Sequence, residues 1–174
     1  MVYIVAGGID EGKTQHMIDL YHKKEQGDGF ISRKIFVDGN GFIGYELVRL
    51  GTGEKLPLAY KSEHVPGDWD EIYRFGPFSF SKKAFAFAER IIAEIIDKGI
   101  EPVFIDEIGP LELRGQGFCN VLKNVLKTQR DVFLAVRNHC VKEVIEKFAI
   151  QNYNVITVSS TLPLPFLLSP VNGR

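Results

Sequence analysis

The stretch Met1–Gln15, MVYIVAGGIDEGKTQ, decides the reading of this chain: a short apolar run, Val2 to Ala6, opens into a glycine-rich turn that ends in Lys13 and Thr14. Gly7 to Thr14 fits G-x-x-x-x-G-K-S/T, the phosphate-binding loop, so Gly7, Gly8, Ile9, Asp10, Glu11, Gly12, Lys13 and Thr14 are the expected cradle. The spacing has a physical reason. A chain that leaves a buried parallel strand and enters a helix exposes several backbone N–H groups, and Gly7 and Gly12 let that backbone curl around a phosphate without a Cβ in the way. Lys13 brings a point charge to the outer phosphates. Thr14, in the first helical turn, is placed to put its hydroxyl on a magnesium ion that bridges phosphate oxygens. Asp10 and Glu11 sit awkwardly beside a polyanion and are expected to point outward. The plainer alternative is a strand-to-helix turn that merely ends in Gly-Lys-Thr.

A second stretch weighs against that alternative. Pro102–Leu113, PVFIDEIGPLEL, has a buried strand over Val103 to Ile105 with Asp106 at its carboxyl end, where a carboxylate holds magnesium directly or through water. Successive strand residues face opposite ways, so Asp106 and Glu107 are expected to do different jobs. Glu107 is assigned the catalytic one, aligning or deprotonating a water for attack on the γ-phosphate, with a structural ion pair as the alternative. Glu112 and Arg114 either reach the site or face water.

Around these motifs, apolar strands alternate with amphipathic helices. Helices are expected over Thr14 to Lys24, from an N-cap at Ser81 to Lys98, over Gly117 to Thr128, and from a cap at Asn138 to Ala149. Val132 to Val136 and Asn154 to Val158 read as further strands. Arg137, at the end of the first, is either a surface residue or a charge for the transferred phosphoryl group. Between Gly29 and Tyr60 short alternating segments and turns such as Asp38-Gly39-Asn40-Gly41 predict an antiparallel meander inserted after the first helix, serving the sheet or a flap beside the ligand. Lys61 to Ser81, with Trp69, Tyr73, Phe75, Phe78 and Phe80, reads as an aromatic loop that covers a core edge or stacks on a base. The tail, 159–174, carries Pro163, Pro165 and Pro170, with Phe166, Leu167 and Leu168 expected to pack back on the domain.

The expected architecture is therefore α/β: a mostly parallel sheet covered by helices on both faces, in one domain over 1–174, with the ligand outside the carboxyl ends of the strands. The chain's 174 residues, 45% of them hydrophobic, suffice for one core, and a formal net charge of −1 argues against a nucleic-acid coat protein. Cys119 and Cys140 lack metal-ligand spacing and are expected as reduced thiols. His16 and His22 have no partner cluster and are expected on a solvated helix surface. No apolar run is long enough to span a membrane, and no leader pattern precedes the first strand, so a cytoplasmic chain is expected.

The Gly7–Thr14 loop, the Gly29-Phe30 pair and above all Asp-Glu-Ile-Gly-Pro-Leu-Glu-Leu at 106–113 resemble the THEP1-like nucleoside triphosphatases, also called cancer-related nucleoside-triphosphatase-like proteins. The likeness covers most of residues 1–158 in order and length. It implies a three-layer, RecA-like P-loop NTPase fold and slow, magnesium-dependent (Mg2+) hydrolysis of ATP, GTP and other nucleoside triphosphates to diphosphate and phosphate, with loose base preference. Lys13, Thr14, Asp106 and Glu107 match the family's functional positions. Two departures stand out: Asp38-Gly39-Asn40 precedes Gly41-Phe42 where the family commonly has arginine, and Ser159–Pro163 occupies the place of its Asn-Arg pair. The same loop, lysine and magnesium also serve a kinase for a nucleoside, nucleotide or other small molecule, or a nucleotide-dependent switch with a protein partner.

Overall fold

A computed structural model describes residues 1–39 and 41–158. The expectations for Asn40 and for the tail at 159–174 lie outside these residues. Among the described residues nine strands form one mixed sheet: β1 (Val2–Gly7), β2 (Asp28–Val37), β3 (Gly41–Arg49), β4 (Lys55–Lys61), β5 (Glu71–Phe75), β6 (Phe78–Ser81), β7 (Val103–Ile108), β8 (Val132–Arg137) and β9 (Tyr153–Thr157), in the order β5-β6-β4-β3-β2-β7-β8-β1-β9. The helices are α1 (Lys13–Lys24), α2 (Lys82–Asp97), α3 (Pro110–Leu113), α4 (Cys119–Leu126) and α5 (Val141–Lys147).

From β2 to β9 every pairing is parallel. The apolar runs VYIVA, VFI and VFLAV have no polar face because both of their faces are covered. Ile4, Ala6, Phe30, Ile105 and Leu134 face α2, α4 and α5 in the larger core. Val5, Ile31, Phe104 and Ala135 point the other way, toward Met17 of α1. Helices thus cover both faces, giving three layers. The Ser81 hydroxyl accepts from the Ala84 N–H at 3.1 Å and starts α2 as expected. Asn138 does not cap α5, because a short 3-10 turn, Asn138–Cys140, intervenes.

Two expectations need correction. The sheet is parallel only on the half that carries β1, β7 and β8; on the other half β2, β3, β4, β6 and β5 pair antiparallel. Nor is 61–81 the expected loop: the antiparallel pairing of β2, β3 and β4, joined to the parallel half where Asp28–Phe30 of β2 pair with Val103–Ile105, runs on into it as β6 and β5. One strand serves both halves because its first residues lie buried between α1 and α2 while its later ones run out into the hairpin. Gly29 makes the junction possible: a Cβ there would lie 1.9 Å from the Phe104 carbonyl oxygen.

Beside this junction Arg49 and Asp28, both about 5% exposed, form a buried ion pair at 2.8 Å. Asp28 also accepts from the Gly29 and Gly51 N–H groups, and Arg49 reaches Glu94 of α2 at 2.7 Å. The pair fastens the parallel half, the hairpin and α2 together.

Candidate active site

The loop from β1 to α1 turns at Gly12, which is left-handed (φ 86°) and caps α1 with its own backbone. Of the two acidic loop residues expected to point outward, Asp10 does so and Glu11 does not. Asp10 is exposed and pairs with Lys34 of β2 at 2.6 Å. Glu11 turns inward, and its carboxylate accepts the Gly8 N–H. Its carboxylate thereby takes a backbone N–H of the kind such a loop offers to a phosphate. Ile9 is 67% exposed at the loop's tip. Lys13 is only 4% exposed; its Nζ donates to the Gly8 carbonyl at 2.6 Å and lies 3.2 Å from Glu107 Oε2.

Asp106 is fully buried at the end of β7, where the Thr14 hydroxyl donates to Oδ2 at 2.7 Å and the Ser32 N–H at 3.2 Å. The Ser32 hydroxyl in turn donates to the Asp106 carbonyl at 2.7 Å. Burial first, and then the charge of Glu107, push the Asp106 carboxyl up to about 7 against these hydrogen bonds. Asp106 Oδ1 is buried and, among the described residues, has no hydrogen-bond partner. A buried carboxylate oxygen with a free face beside a threonine hydroxyl fits a hard divalent cation. No group of three or more His, Cys, Asp or Glu residues able to hold a metal occurs among the described residues, so a cation here would draw its remaining oxygens from substrate and water.

Strand alternation does not separate Asp106 from Glu107. The pairing with β8 runs Asp106 to Ala135 and then Ile108 to Val136, leaving Glu107 as the extra residue of a bulge. Both carboxylates therefore face the same cavity. Glu107 is held between Lys13 and the Arg137 guanidinium, which donates to Oε1.

Glu112 and Arg114 part company. Glu112 is buried, and its two oxygens accept from the Gly109 N–H at 2.8 Å and the Phe118 N–H at 2.9 Å, so it ties the loop after β7 to the start of α4. Burial raises its carboxyl to about 7 despite those bonds. Arg114 stands over the Phe75 ring at 5.0 Å.

Gly12, Lys13, Thr14, Asp106, Glu107 and Arg137 line one cavity of about 370 Å³. Ser32 also lines it, and sequence reasoning missed it; the one available signal was a lone hydroxyl directly after the apolar pair Phe30-Ile31 of β2. Among the described residues no helix is long and apolar enough to cross a membrane.

A phosphate-type loop after β1, an acidic pair at the end of β7 and an arginine at the end of the intervening β8 define a nucleotide-binding α/β architecture. A family model described as NTPase matches residues 2–161, and the chain belongs to that family. Two nucleoside-triphosphatases THEP1 are similar to it in sequence. The one from Methanocaldococcus jannaschii is 24% identical over 156 residues, covering 84% of each chain. The one from Pyrococcus abyssi is 26% identical over 147 residues, covering 81% of this chain and 76% of the relative. In fold, the chain is similar to the crystal structure of THEP1 from Aquifex aeolicus (TM-score 0.69, 17% identity, 92% and 91% coverage). The solution structure of a human cancer-related nucleoside triphosphatase is also similar (TM-score 0.61, 20% identity, 92% and 89% coverage).

Proposed function

We propose that this chain hydrolyses nucleoside triphosphates between the β and γ phosphates, releasing diphosphate and phosphate with Mg2+ as the metal. The observation that carries this reading is the convergence of Lys13, Thr14, Asp106, Glu107 and Arg137 on one cavity from the ends of three adjacent strands. Thr14 and Asp106 would hold the metal, which when bound neutralises charge on the β and γ oxygens.

The rest of the account concerns the chain's own groups. The Gly7–Thr14 backbone takes the phosphate chain, displacing the Glu11 carboxylate from the Gly8 N–H. Lys13 swings from Glu107 and the Gly8 carbonyl to the outer phosphates. That movement frees one oxygen of Glu107, which then accepts a proton from the attacking water. Before substrate arrives the base is neutralised by the very lysine the substrate recruits, so the ion pair couples binding to activation. Arg137 keeps the other Glu107 oxygen in place and offers its remaining N–H groups to charge developing on the phosphoryl group.

Hydrolysis in heavy-oxygen water tests the bond cleaved. The label is expected in free phosphate; label in the diphosphate product, or release of pyrophosphate, contradicts the reading.

A further inference from the structure

The cavity continues past Glu107 into an apolar chamber walled by Tyr45 of β3, Leu58 of β4, Phe80 of β6, Phe85 of α2, Leu111 of α3 and Phe118. Its rings are mutually packed, with Phe80 and Phe85 at 6.2 Å and Phe85 and Phe118 at 5.1 Å between centroids. Strand order fixes where it lies. Along the sheet one meets the phosphate loop after β1, Arg137 at the end of β8, Asp106 and Glu107 near the end of β7, and then the chamber over β2, β3, β4 and β6. No described residue of β9, on the other side of β1, lines the cavity. A triphosphate seated on Gly7–Thr14 with its outer phosphate toward Glu107 leaves the chamber open, facing the terminal phosphorus from the side of the attacking group.

Water as the attacking group needs no aromatic chamber. Apolar walls with a few polar groups at one end are what a small planar ligand takes, its rings against the phenylalanines and its polar end at the carboxylate.

We propose that this chamber binds a small planar aromatic alcohol whose hydroxyl replaces water, making the chain a phosphotransferase toward that acceptor. The acceptor oxygen bonds to the γ-phosphorus, and the bond from that phosphorus to the bridging oxygen of the diphosphate breaks. The diphosphate leaves with the electron pair, and the hydroxyl proton passes to Glu107. The proposal rests on the triphosphate reading above for its donor; the acceptor site is what it adds. Tyr45 lines the cavity with Glu107 and Arg137 among the charged groups around its phenol, a polar group for one edge of the acceptor.

The test uses the full chain with Mg2+, γ-labelled ATP and, in turn, adenosine, thymidine, uridine and pyridoxine. Label is expected on one of these alcohols. Leu58→Phe, which narrows the chamber, and Phe80→Ala, which removes part of its wall, are each expected to lower the ratio of labelled alcohol to free phosphate about tenfold. Free phosphate released at an unchanged rate, with no alcohol labelled, overturns the acceptor site and leaves the hydrolase reading standing. Transfer that persists at an unchanged ratio in both folded variants also overturns it, since the acceptor then sits elsewhere. Neither release nor transfer overturns the donor reading and the acceptor site together.

Discussion

Thr14 Oγ1 and Asp106 Oδ2, 92 positions apart in sequence, lie 2.7 Å apart and join the loop after β1 to the end of β7. Their contact leaves Asp106 Oδ1 facing the cavity with no described partner. From it follows a prediction about metal binding. In Asp106→Asn, Mg2+ is expected to give no increase in melting temperature in the presence of a diphosphate, whereas the unmodified chain gains one; calorimetry checks this.

Lys13 is tied to Glu107 at 3.2 Å, so the two residues are expected to fail differently. Lys13→Ala should weaken triphosphate binding by about 10- to 100-fold, the worth of a lost charge-assisted contact. Glu107→Gln should keep that binding while kcat falls by about 10²–10⁴-fold. Titration with a fluorescent triphosphate and phosphate-release kinetics separate the two.

Arg137 touches Glu107 and the cavity together. Arg137→Ala is expected to lower kcat by about 10²–10³-fold with a smaller change in KM. Arg137→Lys should recover part of the loss. An unchanged kcat in the alanine variant would reduce Arg137 to a structural partner of Glu107.

These relationships show what was legible beforehand. Gly7–Thr14 and Asp106-Glu107 are local motifs, and each strand that delivers them is a short apolar run, so both stood out along the chain. The bulge that turns Glu107 to the same side as Asp106 was hidden, because it exists only in the register between β7 and β8. Ser32 was hidden for a related reason: its partner is 74 positions away. The aromatic stretch from 61 to 81 looked like a loop because Pro66, Gly67, Gly76 and Pro77 interrupt it. Its β5 and β6 are held by pairing with each other and with β4 and by packing of Phe80 and Tyr73 on Phe85.

Asp106 and Glu112 both keep protons to about pH 7 in the metal-free fold, while the unfolded chain releases them in the ordinary carboxylate range near 4. The folded state thus holds more protons between these limits. The stability each group contributes is full below about pH 4 and is lost as pH rises toward 7. Relative to Asp106→Asn, the unmodified metal-free chain should lose stability across that window, as urea unfolding with a chelator present would show. A difference that is flat or grows in favour of the unmodified chain with pH opposes this account of the buried carboxyl.

Arg49 and Asp28 supply a purely structural prediction. Arg49→Met leaves Asp28 buried with only the Gly29 and Gly51 N–H groups, and should cost about 3–5 kcal/mol of stability. A shift of the urea midpoint without a change of slope would give the value directly.

The most direct test of the central claim is phosphate release by the purified chain with ATP, GTP, CTP and UTP, with Mg2+ or with a chelator, beside Glu107→Gln. The account predicts release that requires the metal and collapses in the variant while the variant still binds nucleotide. Release of equal rate in Glu107→Gln, or none from a chain that binds triphosphate with its metal, would contradict it.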